Sequence, residues 1–388
     1  MTGLQRKGQD NRMKDTKLQT GTYTFGEPPD EMELESGRRF GPITLYYETY
    51  GTLNAAKSNV IYVCHALTGN AHLTGKLPGE EKSSGWWTEA IGPGKPFDTD
   101  KYFIIASNCL GGCSGSTGPY SIDPKTHKPY GPSFPPITIR DIVNAKHQLL
   151  RDHFGFEKIL CITGGSIGGM QVLQWAVDHP EYMAAIMPIA ASDALNAQAI
   201  AFNKVGRQAI MADPNWNGGD YYDTMPELQG LALARMVAHI TYLSEEGMRH
   251  KFGREHTNID KWHEFDEQFQ VESYLDHQGD KFIKVRKFDA NSYVYLSRAM
   301  DWYDLSRGYG TIEDALARIQ ARVFMMSFTS DWLFPAADMA SMAQILEAQA
   351  KHVVYHEIRS DYGHDAFLVE YDKINPYFRA FLSSLEMG

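Results

Sequence analysis

The sequence predicts an α/β fold: a mostly parallel central sheet with helices on both faces and an inserted helical cap. Three observations predict it. Short apolar, β-favouring runs alternate with segments of helical period in both halves of the chain. One such pair, a strand over 159–163 and a helix over 170–177, is joined by the turn Gly164-Gly165-Ser166-Ile167-Gly168. Between residues 192 and 310 this rhythm gives way to helix-like sequence without a clear buried strand, and strands then resume. The expected division is a polar segment 1–40, a core made of 41–191 and 311–388, and a cap of 192–310.

Taken in order, Ile43–Tyr50 is rich in β-branched and aromatic residues and stops at Gly51, which reads as an early strand. Val60–Cys64 is apolar throughout, the pattern of a strand buried on both faces. It runs into a loop of small residues, His65-Ala66-Leu67-Thr68-Gly69. Residues 85–98 carry loop chemistry with two tryptophans, and 102–106 form the next buried strand. The stretch 108–136 is rich in Gly, Ser and Pro and too long for a plain connection, so a functional loop is expected there. Thr138 is placed to cap a helix whose stripe includes Ile142, Ala145, Leu149 and Leu150 and which ends near Gly155. After the Ser166 turn, 184–190 supplies another strand, and 228–243 is strongly helical. Strands at 322–327 and Val353–Ile358, with helices at 338–350 and 374–385, complete the sheet.

The chain has 388 residues, of which 43% are hydrophobic, ample for a large core. Its net charge of −11 argues against a nucleic-acid or anionic-membrane partner. The first forty residues are polar and hold no apolar stretch of signal-peptide length. The longest nearly apolar run, 182–191, is broken by Pro188 and too short to span a bilayer. A soluble cytoplasmic protein is expected. Cys64, Cys109, Cys113 and Cys161 are too few for a disulfide framework. No Cys/His pairing has metal-ligand spacing, so no metal site is expected.

The chemistry starts at Ser166. A G-x-S-x-G between a strand and a helix holds its serine in a strained turn, so its neighbours must be small. The plain alternative is a glycine-rich loop that only packs a helix on a sheet. A serine hydroxyl needs a base, and the base needs an orienting carboxylate. In the order Ser, acid, His, the positions at C-terminal strand ends are Asp331, after 322–327, and His364, after Val353–Ile358 in a glycine-flanked, mobile loop. An oxyanion needs two backbone amides. Ile167, at the helix start, and Leu67, in the loop after Val60–Cys64, are the candidates, with His65 a structural hydrogen-bonder beside them.

Further motifs accumulate along the chain: 64–69, Gly85-Trp86-Trp87, Gly92-Pro93-Gly94-Lys95, Asn108-Cys109-Leu110-Gly111-Gly112-Cys113, 115–119, 134–141, Asp213-Pro214-Asn215-Trp216, Ala238-His239-Ile240-Thr241-Tyr242 and Asp361-Tyr362-Gly363-His364-Asp365. With these the chain resembles the homoserine O-acyltransferase family of α/β-hydrolases, over nearly its whole length from Tyr47. One departure is Ile167, where the family usually has Met; the backbone amide survives that exchange. The resemblance implies a Ser166–His364–Asp331 triad. It also implies that Arg235 in the cap grips the carboxylate of homoserine, that Asp365 receives its ammonium, and that Tyr242 hydrogen-bonds nearby. A salt bridge tying cap to sheet is the other reading of Arg235. The implied reaction is acetyl transfer from acetyl-CoA to L-homoserine in methionine biosynthesis, by a ping-pong route, in a homodimer joined through the cap helices and without a tightly bound cofactor. Succinyl-CoA as donor, serine as acceptor, or a carboxylesterase are the rivals.

Overall fold

The computed structural model describes residues 18–76, 85–265 and 267–386. The strands are β1 (Gln19–Phe25), β2 (Met32–Glu33), β3 (Arg39–Phe40), β4 (Ile43–Tyr50), β5 (Val60–Cys64), β6 (Phe103–Ser107), β7 (Ile159–Gly165), β8 (Met183–Ile189), β9 (Arg322–Phe328) and β10 (Val353–Ile358). Eight of them make one sheet in the order β1-β4-β6-β5-β7-β8-β9-β10. From β6 to β10 all neighbours run parallel, while β4 and β1 are antiparallel additions at one edge. The apolar pattern explains this division, since β5 is buried at every position and β1 only at Phe25.

The helices outside the cap are α1 (Ile139–Gln148), α2 (Ile167–Asp178), then α8 (Ile312–Ala317), α9 (Ala336–Ala348), α10 (Ala366–Val369) and α11 (Tyr371–Glu386). Ile142, Leu173, Trp175 and Met339 belong to the core on one face of the sheet, and Phe378, Phe381 and Leu382 of α11 to the core on the other. Thr138 and Asp141 form a reciprocal capping box at the start of α1. Between β8 and β9 lie α3 (Ala197–Ala212), α4 (Gln229–Tyr242), α5 (Glu245–Phe252), α6 (Gln270–Asp280) and α7 (Ala290–Asp301). A buried Arg207–Asp301 ion pair joins α3 to α7 within this helical layer.

The structure differs from the sequence reading at the N-terminal side. Core structure begins not at residue 41 but with β1, which pairs with β4 from Gln19 opposite Thr49 to Phe25 opposite Ile43. An edge strand needs little apolar sequence, so Thr20, Thr22 and Thr24 made it read as polar. Glu35 then ties this segment to α1: its amide donates to Asp141 Oδ1 at 2.7 Å and its carboxylate pairs with Arg140 at 2.9 Å. Residues 1–17 lie outside the described residues. The long loop 108–136 works as a brace. Asn108 Oδ1 accepts the Ala71 amide at 2.6 Å, and the Phe134 carbonyl accepts the Tyr295 hydroxyl of α7 at 2.7 Å.

Candidate active site

β7 leads into α2 through Ser166, whose backbone sits at φ 62°, ψ −130°, a region that L-residues rarely occupy. Packing explains the surrounding glycines. A Cβ at Gly164 or Gly168 would meet the Cys64 carbonyl oxygen at 2.5 or 2.3 Å, because the turn crosses directly over the end of β5. Among the described residues the Ser166 hydroxyl has no hydrogen-bond partner, so it is free to face a ligand.

Asp331 follows β9, and His364 sits in the turn Gly363–Asp365 after β10. They meet across 33 residues, with His364 Nδ1 and Asp331 Oδ2 at 2.7 Å. Asp331 Oδ1 accepts the amides of Leu333 at 3.0 Å and Phe334 at 2.9 Å, which lock the carboxylate toward the imidazole. The Phe334 ring stacks on His364 at 4.8 Å between centroids. His364 is 2% exposed, so the glycine-flanked loop buries its imidazole rather than displaying it. Burial alone would lower its pKa, but the charge and hydrogen bond of Asp331, with Asp365 adding to them, raise it above 6.5. Its Nε2 has no partner among the described residues, and His364 and Ser166 line the same cavity of about 160 Å³.

Leu67 lines that cavity too, and its amide donates to no other group among the described residues. Ile167 is the first residue of α2, where an amide lacks an intrahelical partner. His65 is structural. Its Nε2 accepts the Cys109 amide at 3.1 Å, which leaves the proton on Nδ1 for the Ala66 carbonyl at 2.8 Å. Both nitrogens are therefore occupied by backbone groups.

Arg235 and Tyr242 project from one face of α4 into the cavity. The Arg235 guanidinium lies 4.9 Å from the Phe282 ring centroid and 5.7 Å from that of Tyr242, and donates to Thr68 Oγ1 at 3.2 Å. Among the described residues no carboxylate pairs with it, so the salt bridge considered for the cap is not present. Asp365 is half-buried on the same cavity. Burial raises its pKa, with His364 and Arg235 pulling the other way. Sequence reasoning names no role for five cavity residues: Trp86 and His239 occur there only within motifs, and Arg286, Phe367 and Leu368 not at all. His239 Nδ1 meets the Tyr274 hydroxyl at 2.9 Å, and burial together with Arg235 holds its pKa down to about 3, so it is a neutral imidazole with Nε2 unpartnered.

A family model for the alpha/beta hydrolase fold matches residues 59–371. A homoserine O-acetyltransferase of Deferribacter desulfuricans is 50% identical over 356 residues, covering 92% of this chain and 94% of that protein. One of Rhodospirillum rubrum is 51% identical over 355 residues, covering 90% of each. The chain belongs to the homoserine O-acetyltransferase family of α/β-hydrolases. Its fold agrees with the crystal structure of homoserine O-acetyltransferase from Bacillus anthracis, with a TM-score of 0.86 at 29% identity over 94% of this chain and 97% of that one. Esterase E22 is similar as well, with a TM-score of 0.84 at 27% identity over 94% and 100%. Among the described residues no helix is long and apolar enough to cross a membrane.

Proposed function

We propose that this chain transfers the acetyl group of acetyl-CoA to the hydroxyl of L-homoserine through an acyl-enzyme on Ser166. The observation that carries the reading is one cavity of about 160 Å³ that brings together Ser166, His364, Arg235 and Asp365, with His364 Nε2 unpartnered and Arg235 lacking a carboxylate among the described residues. Neutral His364 takes the Ser166 proton as Oγ attacks the thioester carbon, and the oxyanion is held by the amides of Leu67 and Ile167. The carbonyl re-forms, the C–S bond breaks, and imidazolium returns its proton to the CoA sulfur. Homoserine then enters with its carboxylate toward Arg235 and its ammonium toward Asp365. His364 deprotonates its hydroxyl, which takes the acetyl group, and Ser166 recovers its proton. The product ester activates the homoserine side chain for displacement, which suits methionine biosynthesis. Acetyl rather than succinyl is favoured by the likeness to homoserine O-acetyltransferases.

Initial rates at varied acetyl-CoA and homoserine should give parallel double-reciprocal lines, with CoA released before homoserine is added. Intersecting lines with no CoA release would rule the acyl-enzyme out. A hydrolase reading is favoured by the likeness to esterase E22. Under it, acetyl-enzyme would turn over in water as fast as with homoserine. Because His364 must be neutral to act, the acid limb of kcat/KM for acetyl-CoA should lie above pH 6.5, with activity falling as pH drops through that limb. A limb below pH 6 would contradict the Asp331 coupling. The reading includes a homodimer through the cap, supported by Leu233 and Ile240, which α4 leaves 52% and 39% exposed. Sedimentation as a monomer at micromolar concentration would remove that part.

A further inference from the structure

The donor in this reading is a thioester at one end of a pantetheine arm and a phosphate-bearing nucleotide at the other. The chain's charge of −11 repels such a polyanion, so the nucleotide needs a local cationic site. We propose that the wide turn Lys281–Val285 with the two residues after it is that site, at the mouth of the active cavity; this rests on the acyl-CoA reading above.

Residues 281–287 read Lys-Phe-Ile-Lys-Val-Arg-Lys, four cations in seven residues without an acid. Lys281, Lys284, Arg286 and Lys287 are all exposed, whereas Phe282 and Ile283 are buried, at 0% and 6% exposure. The buried pair pins the turn in place. Phe282 packs under Arg235, so the cationic side stands over the acceptor site, with the Arg235 guanidinium 4.9 Å from the ring centroid. Arg286 reaches furthest in: it lines the cavity with Ser166 and donates to the Thr68 carbonyl at 3.3 Å. Lys284 pairs with Asp280 at 2.9 Å. Among the described residues Lys281, Arg286 and Lys287 have no carboxylate partner. Asp280 pairs with Lys284 and the charge of Glu227 acts on it as well, so four cations face two acids, a surplus beside the active cavity.

A second groove of about 630 Å³ shares Asp365 with the cavity and is the competing route. It carries Lys251 and Lys373, but also Asp361 and Glu370, and Glu370 is paired with Lys373. Its charges largely cancel, which leaves little for a phosphate. The turn does not share that defect.

The test compares acetyl-CoA with S-acetylpantetheine, which keeps the thioester and the arm but lacks every phosphate. The full chain carries Lys281→Glu together with Lys287→Glu, two exposed positions outside the cavity lining. At low salt KM for acetyl-CoA should rise by about tenfold or more, and its dependence on ionic strength should weaken. KM for S-acetylpantetheine, KM for homoserine and kcat should stay within about twofold of wild type. The paired Lys→Arg exchange should preserve the wild-type values. Equal losses with both donors would show that the turn only shapes the cavity and would overturn the proposal. So would an unchanged KM for acetyl-CoA, or a wild-type enzyme that does not distinguish the two donors. A rise on Lys251→Glu instead would place the nucleotide in the second groove. Failure of the underlying reading looks different: wild-type protein would form no acetyl-enzyme from either donor.

Discussion

Ser166→Ala should lower kcat for acetyl transfer by at least about four orders of magnitude and abolish the acetyl-enzyme seen by mass spectrometry. The loss should be this large because His364 and Asp331 have no function without the hydroxyl they serve. Only substrate positioning and the two oxyanion amides would remain. Stability separates this outcome from misfolding. The Ser166 hydroxyl has no hydrogen-bond partner among the described residues, and alanine keeps the Cβ, so the unfolding midpoint should barely move. Ser166→Gly should instead stabilise by roughly 1 kcal/mol, since glycine adopts φ 62° without the strain that any side chain suffers there. A variant that keeps a tenth of the wild-type rate would remove Ser166 from the chemistry. A Gly variant less stable than wild type would remove the strain.

That Ser166, Asp331 and His364 come to one edge of the sheet was legible in the sequence because three local signals agree with one topology. The Ser166 turn follows a strand, Asp331 follows a later one, and His364 follows the last, so all three reach the same sheet edge. The acceptor side was not legible in that way. Arg235 and Thr68 touch across 167 residues, and nothing in the spacing of either indicates the other. The assignment of Arg235 and Asp365 to the acceptor came from resemblance alone. Arg286 was invisible for a further reason: a charge run normally means a solvated face, and only the burial of Phe282 beside it turns this one toward the cavity. At the N-terminal side, β1 escaped because an edge strand with one buried residue has almost no hydrophobic signature. His364 was expected in a mobile loop and is instead buried in the turn after β10. Gly363 explains the difference, since its φ of 68° turns the chain tightly and a Cβ there would meet the Ser244 amide at 2.6 Å. The histidine is thereby pressed under the cap.

Arg235→Ala should weaken kcat/KM for homoserine by roughly two to three orders of magnitude and leave acetyl-enzyme formation within about tenfold of wild type. The asymmetry follows from where the guanidinium sits. It rests on Phe282 and Tyr242, donates to Thr68, and has no carboxylate of its own among the described residues. A substrate carboxylate would supply that missing counter-ion, and truncation would leave it uncompensated beside Asp365, at a cost of about 2–5 kcal/mol. Arg235→Lys should recover only part of the loss, because an ammonium cannot present two parallel donors to a carboxylate or spread over the aromatic rings. An acceptor without the carboxylate, 3-aminopropan-1-ol, supplies the control: wild type should use it poorly, and Arg235→Ala should use it no worse. Pre-steady-state mass spectrometry of the acetyl-enzyme and steady-state rates with both acceptors give all the required values. If Arg235→Ala slowed both half-reactions equally, or impaired both acceptors alike, the residue would be holding α4 over the core rather than reading the substrate.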